Sequence, residues 1–469
     1  MVIEKPEKYD IEFLKKHANN PGWVGFIGDN YLEILDDIEH DQLPYACYTL
    51  IGPILDKFEG TQRTLETVGY MQKAINIARI GINSLSDKVD GRTVEENHLM
   101  HMDLKGDLYF QLAVCLLNIY RPISAMESLD FAEESYLTIR DLLENDKKFS
   151  TDMNIMYEYC RAKEAELYDK ILYDIPADRR SLFANIANSY MTHAINNLYS
   201  YGAKQTAWDN MPLLEECEKD CLRCFDANTI FEINEMNQET ITDDYQKWCQ
   251  ETCRYLTIMN EVPHRSAKYA KDDITFPLEE RFQWQLEDIL HTYDHCRRIL
   301  YRTYKIPPEE FINKDRDEDI ECLMDCYARL YTILDKTAKI INALFPEDYS
   351  RSDLKFYTVA KSLKDDSNPY LRAIFIICND IFADELSTQN RTFDTRGNIN
   401  GLVFKKGFIR NTIMHNTVKI CKESEERGIY EYVASLKPFE LLVYTNWLSY
   451  DVREILLTLQ LAVGYAKRS

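Results

Sequence analysis

The stretch GFIRNTIMHNTVK, residues 407–419, sets Arg410 beside Asn411 and places His415 four positions after the asparagine. These three residue types suit one chemistry, cleavage of RNA by its own 2′-hydroxyl. A histidine titrates near neutral pH and can accept or return a proton. An arginine stays charged and grips phosphate oxygens with two donors at once. An asparagine amide can orient the imidazole or donate to a phosphate. No metal and no cofactor is required, because the ribose supplies the nucleophile and the guanidinium counters the developing charge.

Spacing says how the residues would have to be presented. The apolar positions Phe408, Ile409, Ile413 and Ile420 suit a helix over the segment that begins after Gly407. On such a helix Asn411 and His415 are direct neighbours, whereas Arg410 and His415 diverge by about 140° and meet only at the helix edge, around a shared phosphate. Charge supplies a second signal. The whole chain carries −23, which rules out nucleic-acid binding by its general surface. Residues 386–421 invert that balance, with Arg391, Arg396, Lys405, Lys406, Arg410 and Lys419 against the single acid Asp394. Arg396, Lys405 and Lys406 are the candidate RNA-binding residues beside the motif, and Phe393 or Phe404 offers a ring for a base to stack on.

The elements that must position this cluster are helical. A chain of 469 residues exceeds one core, and only 15 glycines and 14 prolines punctuate it. The expected fold class is all-α, in two parts: helical repeats over 1–265 and a helical bundle over 275–469, joined through the polar stretch 260–277. Short helices broken at NNPGW and at LIGP (50–53) open the chain. Long amphipathic helices follow at 106–120, 122–143, 153–175 and 182–203, with Pro122 suited to a first helical turn. The bundle is expected from helices at 278–305, 317–344, 368–386 and 437–468, with the motif helix between the last two.

Two resemblances follow from these residues. The helix pair 106–143 resembles a tetratricopeptide (TPR) repeat, with Tyr109, Leu112, Ala113, Leu116, Ala125, Leu129 and Ala132 at matching positions. The Arg410–Asn411–x3–His415 segment resembles the signature of the HEPN superfamily (higher eukaryotes and prokaryotes nucleotide-binding domain). The apolar helix NPYLRAIFIICNDIF before it and QLEDILHTYDHCRRILYRTY (285–304) as an opening helix extend that resemblance across about 275–469. The resemblance implies a metal-independent endoribonuclease, a toxin or anti-phage effector, with a composite active site in a homodimer formed through the bundle. It implies Arg410, Asn411 and His415 as catalytic residues, with Asn379 or Asp380 approaching from the preceding helix. RNA is the implied substrate, and the repeats would bind a regulatory protein or trigger. The alternative is a non-catalytic repeat scaffold that uses the bundle for dimerisation.

Other clusters read as structure. Cys217, Cys221 and Cys224 share one helix stripe, as do Cys249 with Cys253 and Cys322 with Cys326, which is the pattern of packed thiols. His291 and His295 are one turn apart but lack a third ligand, and His98 and His101 fall in a polar connection. Neither pair is expected to hold a metal. Thirteen scattered cysteines, a charged opening and the absence of a long apolar run together suggest a cytoplasmic protein with no membrane association.

Overall fold

The computed structural model describes residues 3–6, 8–39, 41–58, 65–86, 94–142, 147–176, 179–200, 243–252, 254–258, 271–311, 317–346, 354–386, 417–420 and 433–468. The fold is mostly helical, in two units, Met1–Ile233 and Asn234–Ser469. No helix among the described residues is long and apolar enough to cross a membrane.

In the first unit the helices are α1 (Ile11–His17), α2 (Trp23–Asp37), α3 (Leu43–Phe58), α4 (Leu65–Ser86), α5 (Val94–Asn118), α6 (Pro122–Leu142), α7 (Lys147–Ile171) and α8 (Arg180–Ser200). From α4 onward the helices pack chiefly on their sequence neighbours, while α3 rests on both α4 and α5, which makes the unit a stack of helical hairpins. Small residues set the spacing. A Cβ on Gly106 would meet the Tyr136 ring at 2.8 Å, so α5 and α6 cross where only hydrogen fits. The turn between them is closed without glycine: Tyr120 takes φ 61°, Arg121 N–H donates to Leu116 C=O at 3.0 Å, and Tyr120 N–H donates to Leu117 C=O. Ala113, Leu129, Ala132, Tyr136, Ile139 and Cys160 form a core across α5, α6 and α7.

Two local expectations fail here. LIGP does not break the chain, since α3 runs through Pro53. Burial of Ala46, Cys47, Leu50, Ile51, Ile54 and Leu55 along one face outweighs the single backbone hydrogen bond that the proline removes. His98 and His101 lie within α5 rather than in a connection.

The second unit holds α9 (Asp244–Glu251), α10 (Glu280–Tyr304), α11 (Glu318–Leu344), α12 (Phe356–Ser362), α13 (Pro369–Leu386) and α14 (Pro438–Arg468). Asp317 caps α11 by accepting from the Asp319 and Ile320 amides at 3.1 Å, satisfying two donors that a helix start leaves open. α14 is the central element, packed against α10, α11 and α13. Leu441, Tyr444, Leu448, Val452, Ile455, Leu456, Leu459 and Ala462 are buried along it. Asn368, just before α13, donates to Ala462 C=O at 2.9 Å and ties the two helices together.

Residues 244–258 lie within the second unit, Asn234–Ser469. One expectation within it is corrected. The expected motif helix does not extend through 417–420. Thr417–Ile420 is a strand, β1, paired in parallel with β2 (Val433–Leu436) in the register Thr417↔Val433 to Ile420↔Leu436. Three of its four residues, Thr417, Val418 and Ile420, are β-branched and favour extended backbone.

Candidate functional site

Arg410, Asn411 and His415, and with them Arg396, Lys405 and Lys406, lie outside the described residues, as do Cys217, Cys221, Cys224, Phe393 and Phe404. Their surroundings in sequence are described on both sides. α13 ends at Leu386, before the basic stretch, and carries Asn379 and Asp380, both half-buried. β1 begins two residues after His415, and β2 leads through Lys437 directly into α14. In sequence, the motif therefore lies between the third and fourth long helices of the bundle and just ahead of strand β1.

Among the described residues of this unit, a dense polar centre lies at the junction of α10, α14 and residues 252, 254–258 and 271–276. Three arginines are buried there: Arg254, Arg297 and Arg453, each no more than 3% exposed. Arg297 grips Asp272 with both terminal nitrogens, at 2.7 and 2.8 Å, and reaches Asp294 at 2.8 Å and Arg254 C=O at 3.3 Å. Burial works against its charge, but the two carboxylates more than offset that and hold the guanidinium firmly protonated. Asp294 shows the reciprocal effect. Burial alone would raise its pKa, yet bonds from Arg297, Arg298 and Tyr245 bring it below the usual carboxylate value.

Arg254 donates to Ser449 Oγ at 3.0 Å and to Asn446 Oδ1, and its guanidinium lies 3.8 Å from the Tyr450 ring centre. Arg453 returns the contact, donating to Tyr255 C=O at 2.9 Å and Thr257 C=O at 3.5 Å. Tyr450 O–H donates to Thr252 C=O at 2.9 Å, and Leu256 N–H to Asp272 Oδ1 at 2.7 Å. Nearly every bond in the set joins a bundle helix to the entering segment. Each guanidinium is engaged by protein acceptors and shielded from solvent, so the centre holds the segment in place and offers no cation to a substrate phosphate. Burial also pushes the neighbouring Cys249 thiol up to about 11, a poor nucleophile.

These arginines were not among the sequence candidates. The available signal was position: Arg297 falls one turn from Tyr293 on the buried stripe of α10, and Arg453 adjoins the buried Val452 on α14. A charge on an apolar stripe requires a partner. Of the other candidates, Cys249 and Cys326 are buried and Cys322 is half-buried. His291 and His295 are exposed on α10, with His295 Nε2 4.0 Å from Asp325.

The first unit has a second polar centre. Tyr136, fully buried on α6, donates to Asp107 Oδ1 at 2.6 Å. Burial raises the Asp107 pKa to about 6, the tyrosine bond opposes the rise, and Asp103 adds to it. Between α6, α7 and α8, Glu133, Glu158, Arg161, Glu164 and Tyr190 form a larger group, with Asn197 donating to Glu158 at 2.7 Å. No protein-family model, curated protein or solved structure matches the chain.

Proposed function

We propose that this chain is a metal-independent endoribonuclease of the HEPN type, regulated through an N-terminal array of TPR-like repeats. The observation that supports it is the Arg410–Asn411–x3–His415 spacing within a basic stretch, six basic residues against one acid, flanked by bundle helices α13 and α14 in a chain of net charge −23. The reaction is transesterification. His415 moves a proton at the 2′-oxygen or at the leaving 5′-oxygen, Arg410 stabilises the pentavalent phosphorane, and Asn411 positions both. The product end is a 2′,3′-cyclic phosphate. Arg396, Lys405 and Lys406 supply the electrostatic seat for the RNA backbone, so affinity falls as salt rises.

In this reading two chains pair through the bundle and bring two motifs onto one linkage. The strand at Thr417–Ile420 confines any motif helix to residues before 417. The physiological role that fits is a toxin or anti-phage effector in the cytoplasm, kept quiet until the repeats meet a regulator. The test is cleavage of RNA in EDTA, with growth arrest on overexpression as its cellular counterpart. His415→Ala and Arg410→Ala are each expected to lower cleavage by about 10²–10⁴-fold and to relieve the arrest. Arrest that persists in both variants, or no cleavage by wild type with or without a candidate activator, leaves the non-catalytic scaffold.

A further inference from the structure

Glu164 lies on α7 and is 1% exposed. Neither of its oxygens meets a hydrogen-bond donor. Its polar neighbours are mostly acidic, with Glu133 and Asp130 beside it on α6. The nearby cation, Arg161, favours the ionised form but is outweighed by burial and the two acids; its guanidinium lies 4.2 Å from the Tyr190 ring centre on α8 and 5.2 Å from Tyr157. Glu158, also on α7, is bonded to Asn197 of α8. Cys160 lies on the same buried side, and Arg140 of α6 acts on Tyr157 at the rim. An ionised carboxylate buried without a donor is costly, and the two acids beside it, Glu133 and Asp130, raise that cost. The neutral acid avoids it, because its O–H can donate to a neighbouring carboxylate so that the pair shares one proton.

We propose that Glu164 is the proton-bearing group of a pH-responsive joint in the repeat unit: it packs as the neutral acid, and α6 and α7 loosen when it ionises. The sign follows from linkage. Burial first, then Glu133 and Asp130, raise the group well above its ordinary value. Its contribution is therefore complete at acidic pH and is lost as pH rises through the folded-state value. The inference does not depend on the ribonuclease reading.

The test uses the full-length protein. Infrared spectroscopy at pH 8 is expected to show the C=O stretch of a protonated carboxylic acid in wild type and its loss in Glu164→Gln. Hydrogen exchange, corrected for intrinsic rates, is expected to show peptides from α6 and α7 losing at least tenfold protection between pH 6 and 9 in wild type only. Glu164→Leu, an apolar replacement of similar size, serves if the glutamine variant does not fold. Absence of the acid band in wild type, or an equal loss of protection in a folded variant, overturns the proposal.

Discussion

Removing the Asp272 carboxylate isolates the energetics of the arginine centre. In Asp272→Ala, Arg297 loses both bonds of its bidentate pair, and the Leu256 amide loses its acceptor. The guanidinium stays buried, with Asp294 as its remaining carboxylate, and Asp294 is a third exposed and shared with Arg298. Breaking a buried pair from one side costs about 3–5 kcal/mol, and the surviving Asp294 contact places this case near 3. For a unit of this size that lowers the melting temperature by about 6–12 °C. Replacing both partners, as in Arg297→Met with Asp272→Leu, removes the stranded charge and is expected to recover most of the loss. The assay is hydrogen exchange on α10 and α14 peptides across a urea series, which reads this unit separately from the first unit. A cost below about 1 kcal/mol for Asp272→Ala, or a double variant no better than the single, would refute the view that the pair is a buried clamp.

Further expectations follow from other contacts. Asp107→Asn keeps an acceptor for Tyr136 but cannot ionise. A rise from 3.8 to about 6 makes the ionised aspartate cost about 3 kcal/mol, so the variant should gain stability over wild type at pH 8 and lose that advantage by pH 4, as measured by urea unfolding. Gly106→Ala sets a Cβ 2.8 Å from a fully buried ring and should destabilise by about 1–2 kcal/mol, net of its helix propensity. Gly69→Ala, on α4 with nothing within 4 Å, should stabilise by about 0.5–1 kcal/mol; thermal melts of the two variants separate crossing from propensity. Asp317→Ala removes the α11 cap and should cost about 1 kcal/mol in the same melts.

The long helices were legible because their apolar residues repeat at helical spacing and prolines mark three of their starts, Pro122, Pro369 and Pro438. Their ends matched the periodic stripes to within a few residues over α6, α10, α11, α13 and α14. What escaped was whatever depends on distant partners. α3 continues through Pro53 because its buried face is held by other helices. β1 reads as the tail of a helix until its parallel partner, thirteen residues beyond its last residue at Val433, is known. Residues 252–258 show no periodicity, and their attachment comes from Ser449, 195 positions from Arg254. Of the candidate site, the residue types and local charge are legible in the sequence, whereas their geometry falls outside the described residues.

The arginine centre also decides where this polypeptide can be divided. A fragment that starts at residue 275 would retain Arg297 and Arg453 while discarding Asp272 and the carbonyls of Arg254, Tyr255 and Thr257 that they hold. Two guanidiniums would then face an opened cleft beside α14, inviting aggregation or adventitious anions. What passes for spare tether in the sequence is a structural part of the domain it precedes, and a self-sufficient C-terminal piece must begin before α9.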